Sequence, residues 1–75
     1  MILSNSEIKK LIDDNFTDKK TNNILKERLF DRVSWEALYI KYGGLRTRDN
    51  FISECVRSLA KLNIIIRKMG GERII

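Results

Sequence analysis

Apolar residues recur at helical spacing in four successive stretches of the chain, each preceded by a residue that can cap a helix. The first stretch follows SNSE at positions 4–7, a capping box whose serine hydroxyl and glutamate carboxylate each satisfy a backbone N–H. Ile8, Leu11 and Ile12 then fall at positions i, i+3 and i+4. The pattern predicts a helix over about residues 5–14.

The second and third stretches predict two further helices. A helix that begins at Thr17, Asp18 or Thr21 and runs to about Arg32 has four apolar residues turned inward. They are Ile24, Leu25, Leu29 and Phe30. Ser34 then caps a third helix, which ends at Gly43-Gly44 through a left-handed cap. Its inward residues are Trp35, Leu38, Tyr39 and Tyr42.

Thr47 can cap a fourth helix over about residues 48–62, and the broad apolar face of that helix predicts a core-facing element. This face consists of Phe51, Ile52, Cys55, Val56, Leu59 and Leu62.

The last thirteen residues predict a β-hairpin. Asn63 tolerates the left-handed conformation that ends a helix, and the isoleucines at 64–66 are β-branched and favour an extended chain. Gly70-Gly71 can form a tight turn, after which Ile74-Ile75 returns as the second strand.

This order of elements predicts a mainly α fold with a C-terminal β-hairpin, namely a winged helix-turn-helix with one extra N-terminal helix. The chain is too short for two cores and is expected to form a single domain over 1–75. Its parts are the additional helix (1–16), the helical core (17–62) and the wing hairpin (63–75).

Two segments resemble known families. VRSLAKLNIIIR at 56–67, followed by GGER at 70–73, resembles the recognition helix and wing of bacterial and archaeal winged-helix regulators. Asn63 stands where those proteins usually have glycine, and Tyr39 stands where a strict helix-turn-helix has a small residue. SWEAL at 34–38 with Tyr42-Gly43 is similar to a segment of winged-helix plasmid replication initiators.

The positive charge is concentrated in the second half of the chain. Residues 1–40 carry seven basic and seven acidic side chains, and residues 41–75 carry eight basic and three acidic, so the whole net charge of +5 lies in the second half. A concentrated excess of this kind suits a polyanion such as DNA or RNA.

The predicted DNA-binding residues follow from this charge and from the resemblance. The N-terminal half of a recognition helix enters the major groove, so the residues expected to read bases are Arg48, Asn50, Ser53 and Arg57. Those expected to contact phosphates are Arg46, Thr47 and Lys61 on the helix side and Arg67, Lys68 and Arg73 on the wing. Glu54 on the same face opposes phosphate binding unless it accepts from a cytosine or pairs with Arg57 or Ser58.

The residue inventory argues against enzyme chemistry. The chain has no histidine and one cysteine, so the commonest general base and the thiolate metal sites are missing. We expect no catalytic residue, cofactor or small-molecule ligand, and we expect Cys55 to be a buried thiol. No apolar run is long enough for a signal peptide or a membrane span, which predicts a cytoplasmic protein.

These patterns predict a sequence-specific double-stranded DNA-binding protein, most simply a small transcriptional regulator. Helix 48–62 would lie in the major groove, with the wing residues 67–73 on the backbone or the minor groove. The N-terminal helix would be free to form a homodimer contact. The alternatives are the DNA-binding part of a plasmid or viral replication initiator, whose chain would continue past Ile75, and a winged-helix protein-interaction module.

Overall fold

Short turns connect four helices in the computed structural model, which describes residues 3–71. The helices are α1 (Asn5–Asn15), α2 (Lys19–Leu29), α3 (Trp35–Tyr42) and α4 (Arg48–Lys68). The first three lie where the apolar spacing predicts them, although α2 ends three residues before the predicted Arg32.

A short polar side chain caps the N-terminus of each helix. Ser4, Asp18, Ser34 and Thr47 each accept a hydrogen bond from the backbone N–H three residues later, and the predicted capping box at Ser4 and Glu7 is complete. Such caps stabilise a helix by about 0.5–2 kcal/mol each. All four helix starts are therefore encoded locally.

The core consists of two clusters of buried apolar side chains that meet at Trp35. The first joins α1, α2 and α4 and contains Leu3, Ile8, Ile12, Phe16, Leu25, Leu59, Leu62 and Ile66. The second joins α2, α3 and α4 and contains Ile24, Leu38, Phe51 and Cys55. Helices α2 and α4 contribute to both clusters, and α2 packs against all three other helices.

The predicted β-hairpin is wrong, and with it the winged fold. Helix α4 runs six residues beyond the predicted end and includes all three isoleucines at 64–66, and no strand occurs within residues 3–71. The predicted return strand, Ile74-Ile75, lies outside the described residues. A two-stranded hairpin is marginal without a sheet partner, whereas a helix satisfies its own backbone hydrogen bonds.

Continuation of the helix also preserves the periodicity of the core. Leu59, Leu62 and Ile66 follow one another at spacings of three and four residues and are all buried in the first cluster. Each such side chain contributes about 1.5–3 kcal/mol when buried, more than the few tenths of a kcal/mol by which isoleucine disfavours a helix. Asn63, the predicted stop, is itself buried within α4.

The two glycines predicted to form the hairpin turn cap α4 instead. Gly70 has a left-handed φ of 79°, its N–H donates to the carbonyl of Arg67 at 3.0 Å, and the N–H of Gly71 donates to the carbonyl of Ile66 at 2.9 Å. This pair of bonds is a Schellman motif, which commonly ends a helix at a left-handed glycine. Glycine at position 70 therefore ends a helix rather than reversing a strand.

The apolar stripe of α1 packs within the chain. Ile8 and Ile12, the inward positions of its apolar stripe, are buried within the first cluster of the same chain, and Leu11 packs against it. The stripe is therefore used for folding, and the expected homodimer contact through α1 stays a prediction.

A polar contact fixes α3 against α2. The carboxylate of Glu27 accepts hydrogen bonds from Lys41, at 2.8 Å, and from the hydroxyl of Tyr42. The hydrogen bond from Lys41 lowers the pKa of Glu27, and Glu27 in turn raises the pKa of Lys41. Glu27, Lys41 and Tyr42 therefore all have hydrogen-bond partners within the chain.

The connection from α2 to α3 contains a strained residue. Arg32 has a φ of 55°, and nearby Arg28 donates to the carbonyl of Val33 at 3.2 Å and lies over the Trp35 ring at 4.5 Å. A left-handed conformation costs a residue other than glycine about 1–2 kcal/mol.

Replacing Arg32 by glycine is expected to raise the free energy of unfolding by up to about 1 kcal/mol, because the relief of strain exceeds the added entropy of the unfolded chain. Urea unfolding followed by circular dichroism measures the change. Arg32→Ala is the matched control, since it removes the same side chain and retains the strain. Equal gains in the two variants would show that the backbone is not the cause.

Candidate nucleic-acid interface

A five-residue turn sets the position of α4 relative to α3. Gly44 has a φ of 59°, which confirms the predicted left-handed end of α3, and the N–H of Arg46 donates to the carbonyl of Gly43 at 3.1 Å. A Cβ atom on Gly43 would collide with the side chain and the carbonyl of Tyr39. Thr47 then caps α4. Close packing and hydrogen bonds therefore fix the backbone conformation from Gly43 to Thr47.

One side of α4 is buried and the opposite side is exposed. At 100° per residue the buried residues cluster on one half of the helix. We call the exposed half the outer face of α4; it consists of Asp49, Asn50, Ser53, Glu54, Arg57, Ala60, Lys61, Ile64, Arg67 and Lys68, all exposed. The predicted base-reading residues Asn50, Ser53 and Arg57 share this face with the predicted phosphate contact Lys61.

The basic residues at the start of α4 are neutralised by carboxylates. The guanidinium of Arg48 donates to Glu36 of α3 and lies 3.6 Å from the carboxylate of Asp49. The guanidinium of Arg46 donates to Glu54. The sequence did not predict Glu36 and Glu54 as partners of these arginines, because those two ion pairs join residues twelve and eight positions apart.

Glu54 and Thr47 are also engaged within the chain. Glu54 pairs with Arg46 rather than with the predicted Arg57, and Ser58 donates to its backbone carbonyl at 3.3 Å. The Thr47 hydroxyl oxygen accepts the N–H of Asn50 at 3.3 Å, as expected of an N-cap.

The basic residues assigned to the wing lie elsewhere. Arg67 and Lys68 are in the last turn of α4, where they interact favourably with the carbonyl end of the helix. Arg73, the third predicted wing contact, lies outside the described residues. The segments predicted as recognition helix and wing thus form one continuous outer face of α4 as far as Lys68.

The C-terminal half of α4 carries uncompensated positive charge. Residues 55–71 contain four basic side chains and no acidic one. Arg57, Arg67 and Lys68 form no ion pair with any residue from 3 to 71, and the Lys61 ammonium lies 5.5 Å from the centre of the Phe16 ring. The favourable interaction with the helix C-terminus explains the positive charge of Arg67 and Lys68. It does not account for Arg57 and Lys61, which lie more than one turn away from that end.

The aromatic residues of α3 serve the core. Trp35, Tyr39 and Tyr42 are partly buried against the second cluster, and the Tyr39 and Phe51 rings are 5.9 Å apart. This placement confirms the expectation that they pack in the core.

Cys55 is buried, as the sequence predicts. Burial raises the pKa of its thiol, which disfavours the reactive thiolate. It lies at a cleft of about 300 Å³ between α2 and α4, whose rim carries both signs of charge. The lining residues are Asp18, Lys20, Thr21, Ile24, Leu25, Arg46, Phe51, Glu54, Cys55 and Ser58. No local sequence signal marks this cleft, because its two walls are brought together by tertiary packing.

Residues 3–71 contain neither a metal-binding cluster nor a membrane-spanning helix. No group of three or more histidine, cysteine or acidic side chains is placed to hold a metal ion there. No helix in that part of the chain has the length and apolar character needed to cross a membrane. Comparisons of the chain with known protein families, curated proteins and solved structures found no match.

Proposed function

We propose that the chain binds double-stranded DNA with the outer face of α4 against the major groove, and that it acts in the cytoplasm as a small transcriptional regulator. The observation that supports this is the set of four basic residues at 55–71, without an acidic residue among them, on the exposed side of α4. A polyanion is the partner that such a surface fits.

The shape of α4 suits the major groove. An α-helix with its side chains is about 10–12 Å wide, and the groove is about 12 Å wide. At 21 residues, α4 is about 31 Å long, so it can follow the groove over several base pairs.

The outer face divides by position into a centre and two flanks. Arg57 and Ser53 lie near the centre, and an arginine there can donate two hydrogen bonds to guanine. Lys61 and Lys68 lie on one flank and Arg67 on the other, where the phosphates of the two strands would be. Asn50 lies with the lysines, at the N-terminal end.

The predicted DNA contacts at the start of α4 are less suited to bind phosphate than those farther along the helix. Arg46 and Arg48 are paired with carboxylates, so each would have to exchange a carboxylate for a phosphate. The proposed interface is therefore centred on the C-terminal half of α4 and not on its first turn.

The proposal predicts a steep dependence of DNA affinity on salt. Three released counterions, from phosphate contacts of Lys61, Arg67 and Lys68, give a slope of log K against log [salt] of about −2 to −3. Fluorescence anisotropy of a labelled 20–30 base-pair duplex at several salt concentrations between about 50 and 200 mM measures it. The single strand of the same sequence is the comparison. Absence of binding to the duplex at the lowest salt would refute the proposal.

Protein interaction is the second candidate function. Val56 and Ile64 are 47% and 54% exposed and flank Ala60 along α4, which makes a short apolar row on the surface. Exposed apolar rows of this kind also occur at protein interfaces. Failure to bind duplex DNA at low salt would favour this candidate.

A further inference from the structure

Ile64 occupies an unusual position on the outer face of α4. Its side chain is 54% exposed and lies near the centre of the face, opposite the buried side of the helix. On the same side of the helix, Arg57 lies two turns before it and Lys68 lies one turn after it. Neither helix formation nor core packing requires an isoleucine there, because isoleucine is a weaker helix former than alanine and this one contributes little to the core.

The basic residues on the two flanks of the outer face determine which part of the DNA a residue at its centre would contact. If the basic residues on both sides reach the phosphates of the two strands, the centre of the face points at the edges of the base pairs. Those edges in the major groove are polar except at thymine, whose C5-methyl group is the apolar feature. An exposed isoleucine is chemically matched to that methyl group.

We propose that Ile64 contacts the C5-methyl group of a thymine in the major groove, and that this contact is a determinant of sequence preference. The inference rests on the proposed DNA binding through the outer face of α4 and adds which base that face selects. It assigns base discrimination to an apolar residue that the sequence pattern predicts to lie in a strand.

The spacing along α4 makes the inference more specific. Arg57 and Ile64 are seven residues apart and lie within about 20° of one line along the helix. Seven residues span about 10.5 Å, or about three base pairs at 3.4 Å per pair. If Arg57 reads a guanine, the thymine should lie about three base pairs from it.

Selection from a random duplex pool followed by uracil replacement tests the contact. We expect the full chain to enrich a thymine, and replacement of that thymine by uracil, which removes only the methyl group, should weaken binding about 4-fold, since a buried methylene-sized group contributes about 0.8 kcal/mol. Ile64→Ala should bind the thymine duplex about 4-fold or more weakly than wild type. It should not distinguish thymine from uracil.

Val56→Ala is the matched control, because it also removes an exposed β-branched side chain from α4 but at the edge of the outer face. This variant should retain the discrimination between thymine and uracil. Circular dichroism checks that both variants keep the helical content of wild type.

Two results would overturn the inference while leaving DNA binding intact. One is a selected site without a thymine whose methyl group matters, and the other is unchanged thymine discrimination in Ile64→Ala. Lack of any enrichment, together with no binding at low salt, would overturn the proposed function as well. The salt titration of wild type on an unselected duplex separates these cases.

Discussion

Replacing Arg57 and Lys61 together by glutamate is expected to lower the affinity for duplex DNA by at least about 100-fold. Each lost contact costs about 1–3 kcal/mol, and each new carboxylate adds repulsion from phosphate. Both side chains are exposed on the outer face of α4 and neither forms an ion pair with residues 3–71. The fold should tolerate the change. Fluorescence anisotropy at low salt measures the loss.

A charge-matched variant separates a local effect from a change in net charge. Lys10→Glu with Lys19→Glu alters the net charge equally, and both lysines are exposed on helices other than α4. Glutamate at position 19 also suits the N-terminus of α2. This control should lose much less affinity than the α4 variant. Similar losses in the two would show that binding depends on overall charge and not on the outer face of α4.

Replacing Ile66 by alanine is expected to lower the free energy of unfolding by about 2–5 kcal/mol, because the side chain is fully buried in the first cluster and its removal leaves a cavity. Replacing Ile64 by alanine should change stability by less than about 0.5 kcal/mol, since that side chain is largely exposed. Urea unfolding of the two variants measures the difference.

The pair of isoleucines also distinguishes helix from hairpin. In a strand, residues 64 and 66 point to the same side, so the two variants would be similarly affected. In a helix, two residues two positions apart are about 200° apart and differ in burial. Equal losses of stability would contradict the continuation of α4 through this segment.

The sequence predicts the structure of the N-terminal end of the chain better than that of the C-terminal end. A capping residue marks the start of α1, α3 and α4, whereas three candidate caps remained for α2. The stripe Ile8, Leu11 and Ile12 has only one periodic interpretation. The segment 63–71 is different because its signals are ambiguous. Three consecutive β-branched residues suit a strand, and Gly70-Gly71 suits a hairpin turn as well as a helix cap.

The candidate interface shows the same division. Periodicity alone places Asn50, Ser53, Arg57 and Lys61 on one exposed face. It does not show that Arg46 and Arg48 are paired with carboxylates, because Glu36 belongs to another helix and the turn at 43–47 determines which side chains meet. The apolar stripe of α1 is a related case, since the sequence shows the stripe but not that its partner is the core of the same chain.

By itself the sequence determined where α1, α3 and α4 begin, most of the apolar side of each helix and where the positive charge is concentrated. Caps, periodicity and composition suffice for this because they act over a few neighbouring residues. Only the tertiary structure decided that residues 63–68 extend α4. The extension places Ile66 with Ile8 and Ile12 in one buried cluster, and that gain depends on α1 lying close to α4. The same extension places Ile64 and the last-turn basic pair on one continuous face with Arg57.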